Sequence, residues 1–314
     1  MSSMSFRCGA ALALFTVAVV SVPHAESALL CDGTRIMTGL ADRLESLVNA
    51  CAYARLAGLE LQSLWRANRD AEHGRVYNRH LLATPTGCSF TTHLPFRHQM
   101  CTERVHLVND FGIPYGVISA PQVLEGLRRR HAQLNVTLEA VRFELLRTAR
   151  ELSIAPGLET LVSGMENATC AHVRRGDKIV KDGTNTSRDS TEAQWAEIRA
   201  RSLAHAAGII TAGETQFFVV GDDALAVRDY EAALVASGAH VLRRPSPASS
   251  RRVSGLDAVV DFFRLAACRR VLMVSVYSGF PILASVVANS KVYAFSRGKS
   301  GARDWEGIAS ITFV

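Results

Sequence analysis

In the second half of the chain, short apolar runs alternate with longer stretches whose apolar residues recur every three or four positions. The runs at 168–174, 216–220, 240–243, 271–275 and 291–295 predict strands, the last of them closing the series. The stretches within 192–207 and at 224–237, 254–268 and 280–288 predict helices. Strands alternating with helices of this length imply a parallel sheet whose right-handed crossovers cover both faces. The expected class is α/β, and this half is Rossmann-like.

The first half follows the same grammar less regularly. Leu40, Leu44, Leu47, Val48 and Cys51 keep helical spacing as far as Gly58, which can cap the helix, and 59–65 resembles the next strand. Between 66 and 121 the pattern loosens into stretches rich in His, Asn, Pro and Thr. Helices return at 122–131 and 138–152 before Pro156 and Gly157 break the chain. That break separates two expected domains, 26–158 and 159–314.

The first 25 residues are of another kind. One positive charge precedes an apolar run at 8–22, shorter than the roughly 18–20 residues of a spanning helix, and Pro23-His24-Ala25 offers a cleavage point. A secretory signal is expected, with an uncleaved membrane anchor through 8–22 as the alternative; either directs the protein to the ER or Golgi lumen or out of the cell. Disulfides are then permitted. Besides Cys8 there are Cys31, Cys51, Cys88, Cys101, Cys170 and Cys268, and the modest loop between Cys88 and Cys101 makes that bridge the favoured one. No Cys or His cluster has zinc-ligand spacing. Sequons at Asn135, Asn167 and Asn185 fit lumenal exposure.

Composition narrows the function. Apolar residues at 48% and charged residues at 20% exclude a disordered chain and a multispanning one. The net charge of +6 comes from short arginine clusters, Arg174-Arg175, Arg243-Arg244 and Arg269-Arg270 among them, which suits an anionic ligand. Nucleic acid is not expected, because there is no basic stripe with interleaved aromatics and no lysine-rich arm.

In an open parallel sheet, ligands settle at the carboxyl ends of the strands. Three segments there carry chemistry: Arg174-Arg175-Gly176-Asp177-Lys178, Gly221-Asp222-Asp223 and Ser275-Val276-Tyr277-Ser278-Gly279. Guanidinium and ammonium groups suit phosphate oxygens, and carboxylates suit ribose hydroxyls and base N–H groups. Ser278 and the amides opening the next helix add neutral donors. One site of this kind holds a whole nucleotide. The plainer readings are surface salt bridges from Arg174 and Arg175 to Asp177 or Asp189, and a hydrogen-bonded strand-end role for His172.

The segment His172-Val173-Arg174-Arg175-Gly176-Asp177-Lys178 resembles the first peptide motif of the α1,6-, α1,2- and protein O-fucosyltransferase superfamily, closest to its α1,6 branch. Phe217-Phe218-Val219-Val220-Gly221-Asp222-Asp223 resembles that superfamily's strand ending in paired aspartates, and Asp261 with the segment ending in Tyr277-Ser278 resembles its Asp, strand and Ser-Ser pattern. Gly39-Leu40-Ala41-Asp42-Arg43-Leu44 looks like the loop that opens the first domain. The resemblance implies two facing Rossmann-like domains of the GT-B type, with GDP-fucose bound by the second. It implies inverting transfer of fucose to a glycan or protein hydroxyl, with no metal and no further cofactor. By the same resemblance Arg174 and Arg175 contact the diphosphate, His172, Asp177 and Lys178 flank the donor, and Asp222 or Asp223 meets the nucleoside. Asp261 then lies behind the site or on the guanine side, Ser278 donates to phosphate, and Gly39 and Arg43 belong to the opening loop.

Three positions depart from the pattern: Ala41 replaces a glycine, Tyr277 a serine, and Asp182 stands near where the α1,6 branch has its glutamate base. Asp182 is the expected base, and Arg174 the expected stabiliser of the leaving group. The alternatives are a secreted protein of this fold that binds nucleotide or glycan without turnover, and a transferase that uses another nucleotide sugar.

Overall fold

The computed structural model describes residues 27–31, 40–64, 82–83, 85–91, 118–175, 191–243, 255–296 and 308–314. The first half holds β1 (Ser27–Cys31), α1 (Leu40–Ala57), β2 (Glu60–Leu64), β3 (Leu82–Ala83), β4 (Cys88–Thr91), α2 (Ala120–Arg130), α3 (Leu138–Arg150) and β5 (Ser153–Ile154). β1, β2 and β4 form a parallel sheet in that order, while β3 and β5 pair antiparallel. Thr137 starts α3 by accepting the Ala140 N–H on its hydroxyl, which satisfies one of the orphan donors of the first turn.

The second half is one six-stranded parallel sheet. Its strands are β6 (Thr169–Val173), β7 (Gln216–Gly221), β8 (His240–Leu242), β9 (Arg270–Val274), β10 (Lys291–Ala294) and β11 (Ser310–Phe313). The helices between them are α4 (Glu192–Thr211), α5 (Ala224–Ala236), α6 (Gly255–Ala267) and α7 (Gly279–Ala288). The spatial order is β11-β10-β9-β6-β7-β8, so the chain builds outward from β6 to one edge, returns, and builds outward from β9 to the other. This is the Rossmann order, with its topological switch point between β6 and β9.

The series does not end at β10 as the hydrophobic pattern predicts. Ser310–Phe313 pairs in parallel with Lys291–Ala294 as a sixth strand. It lies at the sheet edge with its residues mostly exposed, and its Ser-Ile-Thr-Phe alternation, too short to stand out alone, was the available cue.

Alternate residues of the central strands enter two cores. Ala171, Val173, Phe217 and Val219 face α4 and α5, where they meet Trp195, Ile198 and Tyr230. Cys170, Phe218, Val220 and Met273 join a second core that continues through α6 and α7 into α1, α2 and α3 of the first half. Helix α7 packs against α1, α3 and α6. α1 is buried well beyond its leucine stripe, with Arg43, Glu45, Ser46 and Asn49 also enclosed.

Two disulfides tie these layers. Cys51 of α1 bonds Cys88 of β4, and Cys170 of β6 bonds Cys268 between α6 and β9, with Cα atoms 6.1 and 6.0 Å apart. Cys88 is therefore not bridged to Cys101, which lies outside the described residues. Packing of α1 on the first sheet brings Cys51 to Cys88 across 37 residues, and loop length in sequence was the weaker guide. Beside that bridge Arg55 donates to Glu144, Thr148 and Glu151, and Glu151 accepts the Thr86 amide. No helix among the described residues is long and apolar enough to cross a membrane; the run at 8–22 lies outside them.

Candidate functional site

At the switch point the chain leaves β6 and β9 in opposite directions, which opens a crevice at their carboxyl ends. Arg174 extends β6 by one step, its N–H donating to the Val274 carbonyl at 3.3 Å. Strand alternation then sends the two arginines to different faces. Arg175, in phase with Ala171 and Val173, turns to the α4 side: Nη1 lies 3.0 Å from Asp223, Nη2 2.6 Å from Glu192, and the guanidinium sits 5.3 Å from the Trp195 ring centre. The hydrogen bond to Asp223 is the main cause holding its pKa above the ordinary arginine value. Arg174, in phase with His172, has its Nε 3.9 Å from Asp222. Ion pairing of Arg175 follows the plainer sequence reading in kind, with Glu192 and Asp223 as the partners among the described residues.

The paired aspartates have separate tasks. Asp223 is the N-cap of α5: its Oδ1 accepts the Leu225 and Ala226 N–H groups at 2.9 and 3.1 Å, and its Oδ2 takes Arg175. Burial alone would raise its pKa, but these hydrogen bonds hold it below the usual carboxylate range. Asp222 accepts the Arg175 N–H at 3.0 Å and stands at the exposed end of the strand beside Arg174. Gly221 makes this possible, since a Cβ there would meet the Val173 carbonyl oxygen at 2.0 Å and the Val227 side chain at 2.8 Å. Only glycine lets β7 end so close to β6.

His172, Ser275 and Ser278 complete the strand ends. His172 is 8% exposed and stacks on Phe280 with ring centres 5.3 Å apart. Burial, helped by the charge of Arg174, pushes its pKa down to about 3, so the imidazole is neutral at physiological pH. Its Nδ1 finds no hydrogen-bond partner among the described residues, and neither do the buried hydroxyls of Ser275 and Ser278. Ser278 is the N-cap residue of α7, yet its side chain makes no capping bond. Three buried polar groups left open at one place are a donor and acceptor set that a ligand would satisfy.

The remaining expected residues are less central. Arg43 on α1 and Asp261 on α6 are buried, on helices that flank α7 rather than at strand ends. Gly39, Asp177, Lys178 and Asp182 lie outside the described residues. Among the described residues no group of three or more His, Cys, Asp or Glu is placed to hold a metal ion. Sequence reasoning missed Glu192 and Trp195, which engage Arg175 across 17 and 20 positions with no local signal. It also missed Glu45, a carboxylate inside the leucine-rich face of α1 and wholly buried; a charge among Leu44, Leu47 and Val48 was the available cue.

No protein-family model matches the chain, and no curated protein sequence does. Solved structures are similar in shape at low identity. The fucosyltransferase NodZ from Bradyrhizobium is 16% identical, with 83% of this chain and 93% of NodZ covered and a TM-score of 0.47. FUT1 from Arabidopsis thaliana, solved with GDP, is 12% identical, with 90% and 73% covered and a TM-score of 0.48. POFUT1, solved with GDP-fucose, is 10% identical, with 91% and 96% covered and a TM-score of 0.46.

Proposed function

We propose that the crevice between β6 and β9 binds the diphosphate of GDP-fucose, and that the protein moves fucose, with inversion and without a metal ion, to a hydroxyl of a glycan or protein in the secretory pathway. The observation that supports this most is the meeting of Arg174, Asp222, Ser275, Ser278 and the neutral His172 at the switch point of a Rossmann-ordered sheet. In this reading Arg174 stabilises the negative charge that grows on the diphosphate as the glycosidic bond breaks. Ser275 and Ser278 donate to phosphate oxygens, and Asp222 accepts from nucleoside hydroxyls. His172 offers a hydrogen-bonding nitrogen without adding charge. Arg175 acts at one remove, by fixing Asp223 and the turn between β7 and α5. Asp182 is assigned to take the acceptor's proton, with Asp177 and Lys178 flanking the donor and Gly39 and Arg43 bounding it from the first half.

A thermal-shift series with GDP, UDP and CMP tests the binding step. GDP is expected to raise the melting temperature most, and an unshifted protein in all three would remove the basis of the proposal. A second reading, nucleotide binding without turnover, is favoured by the engagement of Arg175 in ion pairs, which leaves one guanidinium facing the crevice where the family pattern has two. Release of GDP from GDP-fucose in the presence of glycan and glycoprotein acceptors separates the two readings.

A further inference from the structure

Two of the three sequons lie among the described residues, Asn135-Val136-Thr137 and Asn167-Ala168-Thr169, and the fold places them differently. The turn from α2 to α3 carries the first. Val136 packs against the core, and Asn135 and Thr137 on either side of it are exposed. This is the two-residue alternation of an extended chain, and Thr137 is extended, at φ −93° and ψ 162°. Its hydroxyl accepts the Ala140 N–H at 3.2 Å as the cap of α3, which uses an oxygen lone pair and leaves the O–H as a donor. At the second sequon only the asparagine is exposed. Ala168 is wholly buried, and Thr169, 1% exposed, opens β6 in the middle of the sheet. A sequon is read through its third residue as well as its asparagine. Asn167 is therefore open only until β6 joins the sheet, whereas Asn135 stays open in the folded chain.

We propose that Asn135 carries an N-linked glycan. The proposal rests on passage through the secretory pathway and is independent of the nucleotide site. The donor is an oligosaccharide linked to a polyprenyl pyrophosphate, brought by the host's own transferase. The side-chain nitrogen of Asn135 forms a bond to C1 of the first sugar, and the bond from C1 to the pyrophosphate oxygen breaks with its electron pair staying on the pyrophosphate. The nitrogen gives up one of its two protons to a base of the transferase. The glycan then adds a bulky, solubilising group to the surface of the first half, in a turn that contributes none of the crevice residues Arg174, Asp222, Ser275 and Ser278. Helix α3 keeps its cap, because the hydroxyl that marks the sequon is the one the folded helix uses as an acceptor.

Expression of the full chain in cultured mammalian cells tests it. The readouts are recovery of the chain from the medium or its protection from added protease in isolated microsomes, its change in electrophoretic mobility on treatment with peptide N-glycosidase, and the mass of the peptide holding residue 135. The glycosidase converts a glycosylated asparagine to aspartate, so residue 135 is expected as aspartate after treatment, a measurement that needs no variant. Asn135→Gln is expected to lose the mobility shift of one glycan. Thr137→Asp is expected to lose the same shift while keeping the helix cap and the melting temperature, and Thr137→Ser to keep all three. A secreted or protected chain whose residue 135 stays asparagine overturns the proposal and leaves the secretory reading standing, whether or not Asn167 or Asn185 is modified. A full shift retained by Thr137→Asp overturns it as well. A chain left outside the secretory compartments removes the secretory reading and the proposal with it.

Discussion

The two faces of the six-stranded sheet are made by the same strands and differ in where their open polar groups sit. On the α4–α5 face the contacts are aliphatic and aromatic and the Tyr230 hydroxyl donates to Ser202, which donates to the Arg199 carbonyl, while Trp195 Nε1 and His205 Nε2 of α4 find no partner among the described residues. On the α6–α7 face His172, Ser275 and Ser278 keep open polar atoms toward the carboxyl ends of β6 and β9, and the disulfide lies toward the amino ends of the same strands. The open atoms of the first face belong to α4 side chains, and those of the second stand toward the strand ends where a parallel sheet receives ligands. Adjacent arginines follow the same division. Arg175 lies on the α4–α5 side, between Glu192 and Asp223, whereas Arg174, in phase with His172, lies on the α6–α7 side beside Asp222.

The largest expected effect concerns the disulfide of the α6–α7 face. Replacing Cys170 and Cys268 together by serine opens a link across 98 residues, for which the chain-entropy account gives roughly 4–5 kcal/mol. Denaturant unfolding under non-reducing conditions should show a loss of that order. On the α4–α5 face Phe217 is fully buried, and Phe217→Ala is expected to cost about 3–4 kcal/mol while the folded protein keeps its affinity for GDP. A fall in affinity as large as the fall in stability would break the distinction between the faces.

His172 gives an effect that depends on pH. Its folded-state pKa near 3 lies below the 6.5 of a solvated histidine, so the unfolded chain takes up the proton first as pH falls. Its contribution is fully present above 6.5 and is lost between 6.5 and about 3, at up to about 1.4 kcal/mol per pH unit. Stability measured between about pH 4 and 6 should therefore rise less steeply with pH in His172→Gln. An identical slope would mean that the imidazole is not held neutral.

The smallest effects sharpen the contrast between the arginines. Arg175→Gln removes partly exposed ion pairs and is expected to cost no more than about 1 kcal/mol, with GDP affinity within about threefold. Arg174→Gln is expected to weaken GDP binding by about tenfold or more, the loss of a charge-assisted hydrogen bond. Equal behaviour of the two variants would erase the difference drawn from strand phase.

The parts of the fold that the chain announces are those whose burial is periodic. β6 to β10 and the helices between them show in the apolar pattern because each element buries one stripe or a whole short run. β11 shows only faintly, as one Ser-Ile-Thr-Phe alternation of four residues at an edge with little buried. The pairing of Cys51 with Cys88 is a tertiary fact with no local trace. Other features were legible and passed over. An aspartate just before a helical run is an N-cap signature, which assigns Asp223 to α5 and leaves Asp222 for the crevice. A period of two separates Arg174 from Arg175. Strand order was not legible from single elements, although it is what places the crevice between β6 and β9.

Helix α1 sends Cys51 to β4, Arg55 to α3 and Glu45 to α7, in three directions from one rigid rod. Such a rod cannot slide or roll alone without straining a covalent bond, an ion-pair network and a close backbone approach at once. Any parting of Gly279 from Glu45 thus falls either to rotation of one side chain or to a shift of α1, α3 and the first sheet as one piece. In the second case the first half works as a lever whose short arm ends at α7, so that a load applied far out on its surface is delivered to the first turn of that helix.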